Sequence, residues 1–222
     1  MDRHALIIGA SGGIGAALAE AHERVGWRVE RASRATGLDL LHEASIAALV
    51  ERIATPDRVI VATGVLHDGH LPERSIKTLE PEHLIRDYRI NAVGPALIAK
   101  HLIPRMPRHR PAVFAALSAR VGSISDNRLG GWHAYRASKA ALNMLIRNVA
   151  IEAARTHPGL VVCGLHPGTV STELSAPFQK GVPADRLFSP RQAAQQLMTV
   201  IEGLTPNQSG GVFAWDGSTI PA

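Results

Sequence analysis

Ala5-Leu6-Ile7-Ile8-Gly9-Ala10-Ser11-Gly12-Gly13-Ile14-Gly15 is the stretch on which the reading of this chain turns. Four apolar residues in a row, closed by glycine, have the pattern of a short strand buried on both faces. From Gly12 to Val25, Ile14, Leu18, Ala21 and Val25 recur at helical spacing. The glycines therefore fall on a strand-to-helix turn, where backbone can approach a pyrophosphate and the free N–H groups of a helix N-terminus face it. Glycines alone mark any tight turn. Their position between an apolar strand and an amphipathic helix is what points to a dinucleotide. Gly9, Ser11, Gly13, Ile14 and Gly15 are the candidate phosphate-binding positions, in the spacing Gly-x-x-x-Gly-x-Gly.

Outward from this unit the same alternation continues. Strands are expected at 27–32, 58–62, 112–117, 160–165 and 212–215. Helices are expected at 45–53, 81–106, 134–155 and 190–201, with Pro95 kinking or breaking the second of these. The strands are continuous apolar runs rather than in-and-out alternations, which argues a parallel sheet covered on both faces. The expectation is one α/β domain over residues 1–222, a single Rossmann-type doubly wound parallel sheet with helices on both faces. A chain of 222 residues buries about 70–75% of its unfolded surface and needs no covalent staple. The longest irregular stretch is 174–189.

Composition narrows the class. Hydrophobic residues make up 45% and charged residues 19%, the usage of a globular protein. The single Cys163 forms no internal disulfide and no thiolate cluster. No apolar run reaches the roughly 18 residues of a membrane helix, and Met1-Asp2-Arg3-His4 lacks the apolar core of a secretory signal. A soluble, cytoplasmic protein with no membrane partner is expected. The net charge of +5 comes from scattered arginines; the cluster Arg105, Arg108 and Arg110 lies among three prolines and reads as a solvated loop, so no nucleic-acid partner is expected. His67-Asp68-Gly69-His70 superficially resembles a ligand cluster but lacks further ligands, and no metal is expected.

The end of the second strand is where an adenosine ribose is read in such folds, and an acid there favours NAD. Here the segment is Arg31-Ala32-Ser33-Arg34. Ser33 can donate to a 2′-phosphate and Arg34 offers a planar fork for it; Arg31 either adds charge or faces solvent. NADP is therefore expected over NAD, with Glu30 a mild counterweight. Asp39 and Leu40 follow, Asp39 placed to accept from an adenine amino group.

Tyr135 and Lys139 stand four residues apart on the long helix, on one face and about one turn from each other. A lysine ammonium beside a tyrosine favours the phenolate and lowers a pKa otherwise near ~10, which suits proton transfer to or from a substrate oxygen. Ser118, just past an apolar strand, adds a hydroxyl at the edge of the sheet where open α/β folds bind ligands.

Together Gly9-x-x-x-Gly13-Ile14-Gly15, Ser118, Tyr135-Arg136-Ala137-Ser138-Lys139 and Pro167-Gly168-Thr169-Val170-Ser171-Thr172 resemble the short-chain dehydrogenase/reductase family, across essentially the whole chain and in the family's order. The run Arg120 to Asn127 is most similar to its small C-factor-like branch. The resemblance implies that Tyr135 is the general acid in carbonyl reduction, that Lys139 holds the nicotinamide ribose and lowers the tyrosine's pKa, and that Ser118 binds the substrate oxygen. It implies that Asn91 anchors a water of the proton relay, that Pro167 and Gly168 pass the nicotinamide, that Val170 binds its carboxamide and that Thr172 reaches the diphosphate. Where the family often carries Asn-Asn-Ala-Gly, this chain has Val61-Ala62-Thr63-Gly64: Gly64 keeps room beside the adenosine and Ala62 lacks the amide. The implied activity is an NADP(H)-dependent oxidoreductase interconverting a carbonyl and an alcohol, on a small-molecule substrate, in a homodimer or homotetramer. The alternative is an NADP-binding signalling or regulatory protein with little turnover. Trp132 either lines a substrate pocket or packs, and Phe178 falls where the family places its substrate lid.

Overall fold

The computed structural model describes residues 3–67 and 69–222. Six parallel strands form one sheet: β1 (His4–Ile8), β2 (Arg28–Ala32), β3 (Arg58–Val61), β4 (Ala112–Leu117), β5 (Leu160–His166) and, last in the chain, β8 (Val212–Ala214). Their order is β2-β1-β3-β4-β5-β8, so the direction of winding reverses between β1 and β3. Ligands of doubly wound sheets bind beyond the carboxyl ends of the strands at such a reversal. Two further short strands, β6 (Thr169–Val170) and β7 (Leu187–Phe188), pair in parallel apart from the main sheet. The sequence reading has neither, because two-residue pairs leave no periodic signal.

Side-chain alternation along each strand divides the core in two. Leu6, Ile8, Val59, Val61, Phe114, Ala116 and Val162 pack beneath α2 (Glu43–Arg52), α4 (Gly94–Leu102) and α5 (His133–Ala153). The intervening Ala5, Ile7, Ile60, Ala115, Leu117, Cys163 and Leu165 pack beneath α1 (Gly13–Arg24) and α6 (Pro190–Gly203). Burial on both faces is why these strands read as unbroken apolar runs.

The helix expected over 81–106 is two helices joined by a wide turn: α3 (Pro81–Tyr88), a π-helical segment at Arg89–Val93, then α4. Pro95 lies in the first turn of α4, where its missing N–H costs nothing, and the irregularity sits just before it. Single π turns of this kind recur at functional positions, and this one carries Asn91. β2 is an edge strand. It pairs only with β1 and carries Arg28, Glu30 and Arg31 along five residues. From its end the chain closes a tight 3-10 turn at Arg34–Thr36, leaves it through Gly37 at φ +85°, and reaches α2 within a few residues.

Candidate active site

The glycine loop is shaped by close approaches. Gly9 has φ +84°, and a Cβ there would stand 2.9 Å from the Ala62 backbone and from Thr63 Cγ2. A Cβ on Gly15 would meet the Gly9 carbonyl oxygen at 2.2 Å, and one on Gly13 would meet Thr172 Cγ2 at 2.9 Å. The loop is thus pressed between the end of β3 and the strand-exit segment after β5. No acidic residue lies in the first turn of α1, and its N-cap, Gly12, offers no side chain to the free N–H groups. The exposed Ser11 and Gly13 leave that dipole end open. These features fit a bound pyrophosphate, and Thr172 stands against the same loop.

The segment Ser33 to Leu38 folds on itself: the Ser33 N–H donates to Thr36 Oγ1 at 2.9 Å and Thr36 Oγ1 donates to the Ser33 carbonyl at 3.0 Å. Arg34 projects exposed from this turn. Arg31 is tied to Glu23, its Nε and guanidinium nitrogens 2.9–3.2 Å from the carboxylate, which resolves its two readings in favour of a surface ion pair. Asp39 is held within its own turn. Its Oδ1 accepts from the Leu41 N–H at 2.9 Å and its Oδ2 pairs with His42 Nδ1 at 2.9 Å, so its carboxylate shapes the turn into α2. Leu40 packs against Gly94, where a Cβ would come within 2.9 Å of it.

At the other end of the crevice Tyr135 and Lys139 are both buried in the first turns of α5. Lys139 Nζ donates to the Leu117 carbonyl at 2.8 Å and lies 5.8 Å from the centre of the Tyr135 ring. Gly122 accepts the stem of that lysine, since a Cβ there would touch Lys139 at 2.8 Å. Gly64 does the same on the far side, 3.4 Å from Asn91 Oδ1 and 3.6 Å from Lys139 Nζ by the same measure. Asn91 is fully buried. Its Oδ1 accepts from the Val65 N–H at 2.8 Å, and its Nδ2 donates to the Val65 carbonyl at 2.9 Å and to Ser138 Oγ at 3.0 Å. Its side chain therefore clamps the loop after β3 to α5.

Two expectations are corrected. Ser118 does not join Tyr135. It continues the β4 alternation onto the α5 face, and its Oγ donates to Asn143 Oδ1 at 2.6 Å, eight residues and so about 12 Å of helix axis beyond Tyr135. Ala119 is the residue that shares an apolar cluster with Tyr135 and Leu66. The second correction concerns acidity. The Tyr135 phenol is pushed up from its ordinary value, by burial first and then by the negative charge of Asp87, while burial lowers Lys139 to about 8. Desolvation disfavours both charged forms.

Past β5, the buried Pro167 and the half-buried Gly168 turn under two rings: a Cβ on Gly168, at φ +74°, would come within 2.7 Å of Phe188 and 3.0 Å of Trp215. Val170 is buried and its carbonyl accepts from the Ser175 hydroxyl. Above Tyr135, Trp132 stands 6.3 Å away ring to ring, and Phe178 packs 4.9 Å from Trp132 and 5.9 Å from His67. His67 Nε2 meets the carbonyl oxygens of Glu173 and Leu174, at 3.3 and 3.1 Å, whereas the His70 ring stacks on His83 at 3.4 Å. The two histidines thus face different partners; Asp68 between them lies outside the described residues. Cys163 is fully buried and its thiol pushed up to about 12, an inert core position.

Two buried acids near this site escape a reading of the sequence. Glu73 Oε2 accepts the Ala134 N–H at 3.2 Å, and the Glu73 carbonyl accepts the Trp132 N–H at 2.5 Å, so this residue caps α5 from a distant loop. Trp132, at φ 50°, opens that helix in the left-handed region. Asp87, on α3, is buried against α5. It lies four residues before Asn91, a helical spacing that could have flagged it.

The sheet is doubly wound with the crevice at its switch point, and comparison with known proteins gives the family. Residues 30–182 match the short chain dehydrogenase family, and the chain belongs to it. Among curated relatives, it is 33% identical to C-signal of Myxococcus xanthus over 138 residues, 62% of this chain and 78% of that protein. It is 32% identical to 1-hydroxy-2-glutathionyl-2-methyl-3-butene dehydrogenase of Rhodococcus sp. strain AD45 over 184 residues, 82% of this chain and 77% of that one. Among solved structures, the NADPH-bound carbonyl reductase from chicken fatty liver superposes with a TM-score of 0.84 at 21% identity, over 100% of this chain and 99% of that one.

Proposed function

We propose that this protein is an NADP(H)-dependent oxidoreductase interconverting a carbonyl and an alcohol, with Tyr135 as the proton donor and acceptor. The observation that carries the reading is the placement of Tyr135 and Lys139 on one buried face of α5, joined through Asn91 and Gly64 to the crevice the glycine loop opens onto. The cofactor, when bound, supplies or accepts the hydride. Gly9, Ser11, Gly13, Ile14 and Gly15 with Thr172 would hold its diphosphate, Ser33 and Arg34 its 2′-phosphate, and Ala62 and Gly64 would border the adenosine. Pro167, Gly168 and Val170 would flank the nicotinamide. Tyr135, kept protonated by burial, gives its proton to the carbonyl oxygen as that oxygen gains charge, and Lys139 stabilises the phenolate left behind. Trp132, Leu66 and Phe178 wall the site and exclude water.

A second reading, an NADP-binding protein of low turnover with a signalling or regulatory role, is favoured by one observation. The Ser118 hydroxyl is held by Asn143, which turns it away from Tyr135 and from a substrate oxygen there. NADPH consumption against a panel of aldehydes, ketones and quinones, with Tyr135→Phe in parallel, separates the two. Turnover that disappears in the variant while NADPH still binds supports the oxidoreductase; NADPH binding without turnover across the panel favours the second reading. Turnover that persists in Tyr135→Phe removes the proposed mechanism.

A further inference from the structure

Asp87 is 2% exposed, and its Oδ1 has no hydrogen-bond partner among the described residues. A buried carboxylate left short of partners is costly unless charges around it compensate. The groups that face it are Arg86 and His83 from its own helix, Glu73 from the loop that caps α5, and Lys139 and Tyr135 from α5. Glu73 and His83 are themselves 3.9 Å apart, and His83 is stacked on His70. Among the described residues, the buried cation on the α5 side is Lys139, whose one direct hydrogen bond is to the uncharged Leu117 carbonyl. That ammonium therefore lacks a hydrogen-bonded counterion, and the carboxylate of Asp87 acts on it through low-dielectric surroundings.

We propose that Asp87 is a positioning residue for the Tyr135–Lys139 pair: its buried carboxylate, at the contact of α3 with α5, holds Lys139 as the ammonium and Tyr135 as the phenol until a substrate oxygen takes the proton. The proposal rests on the oxidoreductase reading for its use, but not for its test. A negative charge favours a neighbouring ammonium and disfavours a neighbouring phenolate, so it acts in the same sense on both. Burial holds the Asp87 carboxyl up at about 6. The charge is thus present at neutral pH and removed in mild acid, within a range that leaves most carboxylates ionised.

The chain has two tyrosines, Tyr88 and Tyr135, so Tyr88→Phe leaves Tyr135 as the only one. With tyrosine carbon-13 labelled at Cζ, the Tyr135 signal reports the charge beside it without any substrate. The expected result is an inflection near pH 6, lost in Asp87→Asn and retained in Asp87→Glu, together with a Tyr135 ionisation about one pH unit lower in Asp87→Asn. An inflection that survives Asp87→Asn assigns the titration to another group and overturns the proposal, as does its absence from the Tyr88→Phe protein. Should Asp87→Asn fail to fold, Asp87→Glu decides: loss of the inflection there overturns it, and a displaced inflection upholds it. A protein that shows the coupling and reduces no carbonyl loses the oxidoreductase reading and keeps Asp87's hold on the pair. One that reduces carbonyls without the coupling keeps the reading and loses Asp87.

Discussion

Ser118 Oγ and Asn143 Oδ1 lie 2.6 Å apart, a hydrogen bond between the end of β4 and the third turn of α5. It removes from the reacting centre a hydroxyl that the order of residues along the chain assigns to it. Ser118→Ala should therefore lower turnover less than about threefold and cost about 1 kcal/mol of stability through the amide it leaves unpaired. Urea unfolding and steady-state rates measured on one preparation check both halves. A loss of rate approaching that of Tyr135→Phe would return Ser118 to the chemistry.

Arg34 and Arg31 are close in sequence and opposite in circumstance. Arg34 projects free of any ion pair among the described residues, while Arg31 is forked onto Glu23. Arg34→Ala should weaken NADPH about tenfold or more, the worth of a charge-assisted bidentate contact, and leave NADH little changed. Arg31→Ala should move neither by more than about twofold. Calorimetric titration with both cofactors reads all four affinities.

Glu73 fixes the start of α5 from outside the helix. Glu73→Ala should destabilise the fold by about 1–3 kcal/mol, since it leaves the Ala134 N–H buried and unpaired. It should also lower the rate with Tyr135 intact, because Tyr135 sits in the turn that loses its cap. Thermal unfolding and kcat on the best substrate measure the two effects, and Glu73→Gln, which keeps an acceptor oxygen, should recover most of both.

His22 is fully buried, its Nδ1 donates to the Leu18 carbonyl and its Nε2 accepts from the Arg58 guanidinium, and its pKa is lowered to about 4 by burial. In the unfolded chain it takes a proton near 6.5. The folded state binds that proton less readily, so its contribution to stability is complete above about pH 6.5 and is lost as pH falls toward 4. At pH 5 the loss is about 2 kcal/mol from this residue. Asp87 acts with the opposite sign, its raised carboxyl favouring the folded state in acid. The difference in urea midpoint between pH 7 and pH 5 should therefore be smaller in His22→Gln than in the parent chain.

The sheet, its winding and the glycine turn between β1 and α1 were legible because each rests on local pattern: apolar runs, helical spacing, and at Gly9 a glycine where φ is positive. The Tyr135–Lys139 pair was legible because four residues on a helix make one face. What escaped has long reach. Glu73 meets Ala134 across sixty-one residues, and no local signal announces a cap delivered from another loop. Ser118 was misassigned because one residue of strand phase decides which face a side chain joins, and alternation past the end of β4 turns it under α5. The tyrosine's acidity was misjudged because spacing shows the ammonium but not the burial that opposes it.

The position of β2 at the rim of the sheet carries a consequence for how the protein avoids its own kind. The backbone groups of β2 that do not face β1 point outward there, a template on which another chain could grow. Arg28, Glu30 and Arg31 stand along that rim, and a second copy laid in parallel register would set like charges side by side. Replacing the three with valine would turn a charged boundary into a seed for fibrous assembly.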